Sequence, residues 1–248
     1  MDENFMTVLY FLRALLIFAL PTCVVRFFLK NKIGKNVKMG FSLFFCRKIE
    51  IGDNTHLSSF NIFRVEELII AKNVRCGSFN VFSGKLHVMI GENCYIGKLN
   101  KISNPSFNSI KSYFKMGDYS NINVGHLFDL THNITLSSKT VLAGVGTQVW
   151  THSFCLPTKG KKIRIEKPVL IGENNYIGSR SIILAGVETA NNVVIGAGSV
   201  VSKSLLQNSA LYVGRAAQMV RKIDADLIAK TLKEYDNILE LDEYFVWR

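Results

Sequence analysis

Between Ile33 and Val201 the apolar residues of this chain recur every six positions. One run is Ile165, Ile171, Ile177, Ile183, Thr189, Ile195 and Val201, and another is Ile33, Met39, Phe45, Ile51, Leu57 and Phe63. The same step appears in Ile70, Cys76, Phe82, in Ile90, Ile96, Ile102, in Met116, Ile122, Phe128, and in Leu136, Leu142, Gln148. A six-residue period fits neither a 3.6-residue helix nor a simple hairpin. It predicts a triangular coil with one short strand per side and three repeats per turn, each marked residue pointing inward. Glycine often follows the marked residue (Gly34, Gly40, Gly52, Gly172, Gly178, Gly196), which suggests a tight corner there.

The step slips after Phe63, Phe82, Ile102, Phe128 and Gln148, each time after a whole number of three-repeat turns. Every insertion is therefore expected to leave from the same corner. Two are long, Ser103 to Lys115 and Ser153 to Arg164, and loops on one edge of a regular scaffold commonly build its binding site.

A coil leaves two end faces to cover. Phe5 to Leu20 is apolar apart from Arg13 and is followed by Pro21 and a second apolar stretch. It begins Met-Asp-Glu, without the basic start or the cleavage site of a secretory signal, and the clean run is too short to span a bilayer. Three readings stay open: short helices in a membrane interface, with Arg26, Lys30, Lys32, Lys35 and Lys38 toward anionic headgroups; a helical cap on the first coil; and, third, a transmembrane helix taken through to Phe28, which would carry two arginines and a proline. At the other end, Asp224 to Leu241 places Leu227, Ile228, Leu232, Tyr235, Ile238 and Leu239 at helical spacing. The expected organisation is N-terminal apolar helices over 1–32, a β-helix domain over 33–221 and a C-terminal amphipathic helix over 222–248.

Charge narrows the partners. With 30 Lys and Arg against 19 Asp and Glu, the net charge of +11 favours phosphate-bearing ligands, acidic membranes or nucleic acid. The basic run Lys159 to Lys167 has no interleaved aromatics and no nucleic-acid motif, so an acidic ligand or headgroup suits it better. The five cysteines are scattered and form no CxxC, which argues against a zinc site or disulfide framework and for a reducing, cytoplasmic setting.

Leu136 to Arg221 resembles the hexapeptide-repeat acyltransferases, whose fold is a left-handed β-helix. The matching residues are Val149-Trp150-Thr151-His152, Ile171-Gly172 through Ile177-Gly178, Ile195 through Lys203, and the exit from Val213-Gly214 to Arg221-Lys222. The whole chain looks most like bacterial polysaccharide or O-antigen O-acetyltransferases. That resemblance implies acetyl-CoA as acyl donor, a saccharide acceptor, a homotrimer and no metal. With the apolar N-terminus it places the protein peripherally on the inner face of the cytoplasmic membrane.

Acetyl transfer to a sugar hydroxyl needs a base near neutral pH, and a neutral imidazole suits it. His152 stands where a coil ends and the basic insertion begins, and it matches the family's catalytic histidine. His132 follows Phe128 by four residues as His152 follows Gln148, so the two are expected to stack, His132 helping to hold the acceptor or filling a corner. Asp129 is a candidate for orienting an imidazole or binding sugar hydroxyls, although its place along the coil suits neither role well. Trp150 is a candidate to stack on a sugar ring. By the resemblance, coenzyme A runs near Ser179 and, one turn on, Ala197, with Ser202, Lys203 and Arg221 near its nucleotide. The exit reads Arg215-Ala216-Ala217-Gln218 where the family commonly has Asn-Pro-Ala followed by a cation, so one expected cation is missing and Arg215 is its candidate substitute. Other readings are N-acetylation of a nucleotide-linked amino sugar, a metal hydratase resembling γ-class carbonic anhydrases built from His126, His132 and His152, and a non-catalytic solenoid.

Overall fold

The structure is a computed structural model. It describes residues 32–105, 111–158 and 161–222, with their side chains except those of 154–158 and 161–163. Both expected terminal helices lie outside the described residues, except that Lys32, at the end of the first, is in a turn and Lys222, placed at the start of the second, closes a strand instead.

Every regular element among the described residues is a strand. Short parallel strands stack into three sheets of ten, eight and six strands, and the chain visits them in that cyclic order. This is a three-faced parallel β-helix, consistent with the expected left-handed coil. Strands on the six-stranded face alternate inward and outward residues, as in Lys48–Ile51 and Glu67–Ile70. The inward residues of all three faces form one continuous core. Phe44, Phe63 and Phe82 stack down its centre, with ring centroids 4.9 and 5.0 Å apart.

The six-residue step holds for most inward positions, with three corrections. In the first coil Phe44, not Phe45, enters the core and pairs with Phe63. In a later coil Val149, not Gln148, is buried and pairs with Phe128. The extra residue is taken up around Gly144 and Gly146, where pairing with the previous coil shifts register between Ile122 and Val124. Ile165, assigned to the repeat, instead pairs with Ser153 in an antiparallel hairpin.

The corner glycines have a different cause from the one inferred. None of Gly34, Gly40, Gly52, Gly172, Gly178 and Gly196 has a positive φ. What they provide is close approach: a Cβ on Gly178 would sit 2.5 Å from the backbone nitrogen of Ala197 in the next coil. The left-handed residue at the corner between the six- and ten-stranded sheets is usually asparagine: Asn36, Asn54, Asn73, Asn93, Asn174 and Asn192 all have φ between 53° and 59°. Asparagine tolerates this conformation, and its amide donates to the asparagine one coil on, as from Asn54 Nδ2 to Asn73 Oδ1 at 3.3 Å and from Asn73 Nδ2 to Asn93 Oδ1 at 3.0 Å.

A second ladder runs inside the corner between the ten- and eight-stranded sheets. Asn61, Asn80, Asn100 and His126 are buried one above another. Each side chain accepts the backbone N–H of the residue above: Asn80 N–H to Asn61 Oδ1 at 2.9 Å, Asn100 N–H to Asn80 Oδ1 at 3.0 Å, His126 N–H to Asn100 Oδ1 at 2.9 Å, and Thr147 N–H to His126 Nδ1 at 3.1 Å. Buried corner amides that water cannot reach are thereby satisfied. Burial pulls the His126 pKa down to about 4.

The last strand of the ten-stranded sheet, Gln218–Lys222, runs antiparallel to Ala210–Val213 and covers its edge. The second long insertion is itself a hairpin, His152–Thr158 against Lys161–Glu166. The first is shorter than inferred, because Ser103 and residues 112–115 belong to coil strands.

Two expectations follow for stability. Phe63→Ala removes the middle ring of the central stack and should cost about 3–5 kcal/mol in denaturant unfolding. His126 is held neutral by the fold, so between its folded and unfolded pKa values the unfolded chain binds more protons; stability is intact above about pH 6.5 and falls toward pH 4, by at most about 3 kcal/mol. His126→Asn continues the ladder without a titrating ring, so the gap between its urea midpoint and the parent's should change in its favour on going from about pH 7 to about pH 4.5.

Candidate active site

Both long insertions leave the coil between the eight- and six-stranded sheets, as the pattern of slips predicted: one follows Lys101–Ser103 and the other follows Gln148–Trp150. Their roots enclose the turn from Asp129 to Asn133. On one side Asn104 Nδ2 donates to Ser112 Oγ at 2.9 Å, and Ser112 Oγ donates to the Leu130 carbonyl at 2.7 Å. On the other side the hairpin is closed by Lys167 N–H donating to the Thr151 carbonyl at 2.9 Å.

His152 opens that hairpin. Its Nδ1 lies 2.9 Å from Asp129 Oδ1, the carboxylate being 5% exposed and the imidazole 20%. The same carboxylate oxygen accepts the Thr131 backbone N–H at 3.3 Å and lies 3.4 Å from the Thr151 hydroxyl. A carboxylate acceptor at Nδ1 assigns the proton to that nitrogen and makes Nε2 the basic one. Thr131 Oγ1 is 3.2 Å from Nδ1 and accepts from Arg164 Nη2 of the returning hairpin strand at 2.8 Å. Arg164 is ion-paired with Glu166 at 2.9 Å. The imidazole is thus held by one coil below and by the hairpin beside it.

The anticipated stack of His132 beneath His152 does not form. With Val149 facing Phe128, the residue beneath His152 is Thr131. His132 instead donates its backbone N–H to Thr151 Oγ1 at 2.8 Å, while its Nδ1 accepts the Asn133 N–H at 2.7 Å. The register error also hid Asp129: counted from Gln148 its place suits neither role, whereas in the true register it orients the imidazole. Thr131 and Arg164 were not singled out from the sequence. The capping of a coil turn by Arg164 depends on the hairpin folding back, which no local pattern announces. Trp150 is half-buried, packs edge-on to His152 with centroids 6.0 Å apart, and donates its indole N–H to Gln148 Oε1 at 3.1 Å. His126 belongs to the internal ladder, so it does not join His132 and His152 at the surface.

The other predicted residues divide between two edges of the eight-stranded sheet. Ser179 and Ala197 stack at its corner with the ten-stranded sheet, as expected. The Ser179 hydroxyl donates to the Val145 carbonyl at 2.8 Å and accepts the Val145 N–H at 3.0 Å, which pins the bulge of the coil below. Ser202 and Lys203 are exposed at the opposite corner, on the edge that carries His152. Arg221 is exposed on the terminal strand of the ten-stranded sheet, and Arg215 Nε reaches the Gly198 carbonyl at 3.4 Å. One chain therefore does not bring His152 and the Ser179–Ala197 corner together.

Residues 168–203 match the bacterial transferase hexapeptide family of six repeats. The fold is shared with UDP-N-acetylglucosamine acyltransferase from Campylobacter jejuni, at 16% identity and a TM-score of 0.58 over 82% of this chain and 77% of that one. It is shared also with the polysialic-acid-specific acetyltransferase NeuO, at 18% identity and a TM-score of 0.50 over 83% and 95%. Several Staphylococcus aureus proteins named provisionally as acetyltransferases are 45% identical over 67 residues, and there the match spans only 33% of their length. The galactoside O-acetyltransferase of Lactococcus lactis is 31% identical over 163 residues, covering 64% of this chain and 74% of the relative. On that extended match and the shared coil, the chain belongs to the hexapeptide-repeat acetyltransferases.

Proposed function

We propose that the protein transfers an acetyl group from acetyl-CoA to a sugar hydroxyl of a surface polysaccharide or its precursor, with His152 as general base. The observation that carries this reading is the buried Asp129 carboxylate 2.9 Å from His152 Nδ1 at the root of both insertions. Nε2 takes the proton of the acceptor hydroxyl as its oxygen attacks the thioester carbonyl. The tetrahedral intermediate then expels the coenzyme A thiolate with cleavage of the C–S bond, and the imidazolium returns the proton to sulfur. Asp129 holds the tautomer and stabilises the imidazolium. The sugar-hydroxyl acceptor is supported by the kinship to a galactoside O-acetyltransferase.

The donor is assigned to the corner of Ser179 and Ala197, with Arg215 and Arg221 as cations for its phosphates and Lys203, which lies on the His152 edge, reaching them from a neighbouring copy. Because that corner and His152 lie on opposite edges of one sheet, a complete site needs the base of one copy beside the donor corner of another. A closed trimer provides three such junctions with a single type of contact.

His152→Ala should lower turnover per folded protein by about two to four orders of magnitude while the melting temperature changes little. Asp129→Asn presents an amide that can donate to Nδ1 and favours the wrong tautomer, so its turnover should fall about a hundredfold or more. Turnover within a few-fold of the parent for His152→Ala, with melting unchanged, would remove His152 as the base. Shared sites predict complementation: His152→Ala and Ala197→Trp, each inactive alone, should recover about a quarter of the parent activity when mixed within trimers. No recovery in mixed trimers of confirmed mass would place each site within one chain.

A further inference from the structure

The corner between the ten- and eight-stranded sheets changes character along the coil. Its left-handed position reads Phe60, Phe79, Leu99, Gly125, Gly146, Arg180 and Gly198 in successive coils, with φ between 58° and 77° throughout. Glycine takes this conformation freely, whereas a bulky side chain is strained in it. Yet the three bulky apolar residues are 58%, 53% and 56% exposed. Phe60 and Phe79 stack on each other with centroids 5.2 Å apart. Ile62, at 38% exposure on the adjoining face, extends the apolar strip. Core packing does not account for strained, exposed apolar side chains where three of the four later coils use glycine.

Charge around this ridge is segregated. From Ile33 to Ser103 the carboxylates are Glu50, Asp53, Glu66, Glu67 and Glu92. Glu50 and Glu67 lie on the six-stranded sheet, and the other three lie at its two corners. None lies on the ridge or on the outer surfaces of the two sheets that meet there. Those surfaces carry exposed Lys38 and His56 on one side and Arg64 and Lys101 on the other, with Lys98 on the ridge itself. An apolar ridge flanked by lysine and arginine and by no carboxylate complements a surface that is apolar beneath and anionic above.

We propose that the Phe60–Phe79–Leu99 ridge is a membrane-contact edge, its side chains entering the interface of an anionic bilayer while Arg64, Lys98 and Lys101 meet the headgroups. With about 4.8 Å between coils, the three side chains form a line roughly 10 Å long, parallel to the coil axis. The coil axis therefore lies along the membrane plane. A second copy of the chain is the other candidate occupant, because the proposed trimer sets this same corner, in later coils, beside a partner's His152 edge; the cations that flank the exposed apolar line favour the bilayer, and sedimentation mass separates the two.

The test uses the full chain and vesicle co-sedimentation, with phosphatidylglycerol-containing vesicles against vesicles of phosphatidylcholine alone. The triple variant Phe60→Gly, Phe79→Gly, Leu99→Gly places at this corner the residue that Gly125, Gly146 and Gly198 already hold there, so it retains the fold. It should lose about tenfold or more of its partition onto anionic vesicles, with sedimentation mass and turnover on a soluble acceptor unchanged. Arg64→Gln, Lys98→Gln, Lys101→Gln should weaken binding to anionic vesicles and flatten its salt dependence, with little effect on phosphatidylcholine. Vesicle binding equal to the parent's in both variants overturns the proposal. So does a fall in sedimentation mass of the glycine variant, which would make the ridge a contact between copies. These readouts are independent of acetyl transfer, so the proposed reaction and the membrane edge can fail separately.

Discussion

Each coil has to turn three corners while its backbone stays bonded to the coil below, and the corner amides are buried. That constraint governs the rest of the structure. The inner ladder of Asn61, Asn80, Asn100 and His126 resolves it at one corner by supplying an acceptor to each amide above. The outer asparagines resolve it at another by tolerating the left-handed conformation and bonding along the stack. An unsatisfied buried amide costs about 1–3 kcal/mol, so repeating the omission in every coil would offset much of the gain from the apolar core. Once the corners are satisfied, the phenylalanine stack and the alternating faces follow from the period.

The rigidity so obtained is what the site uses. Asp129 belongs to one coil and His152 to the next, and their contact is set by the stacking distance and register of the two coils, with no flexible segment between carboxylate and imidazole. The extra residue near Gly144 and Gly146 decides that Thr131, and not His132, lies under the catalytic candidate. A one-residue bulge in a regular scaffold thus selects the partners of a histidine at the neighbouring corner. The hairpin then closes over the same turn through Arg164, joining the irregular part of the chain to the regular one.

The corner that begins the eight-stranded sheet changes its side chains along its length. Where the donor is proposed to bind, it carries the small residues Gly178, Ser179, Ala197 and Gly198, with the exposed Arg180 at the left-handed position of one coil. In the first coils the same position carries phenylalanine and leucine at a conformational cost. The repeat makes these positions geometrically equivalent, so their different side chains reflect different surroundings.

By itself the sequence determined the coil, its three faces, the corner from which the two long insertions leave and the place of His152 at the root of the second, because the inward period is a property of consecutive residues and survives isolated exceptions. It did not determine register where the step lengthened or shortened. Phe44 against Phe45 and Val149 against Gln148 differ by one position, and only burial and pairing with the neighbouring coil choose between them. The partnership of Asp129 with His152 depends on that choice, since the two are 23 residues apart and meet only when the coils stack. The reason for the corner glycines, the polar ladders and the exposed ridge were decided in the same way. Each is a relation between successive coils, and side chains some twenty residues apart become neighbours only through the tertiary fold.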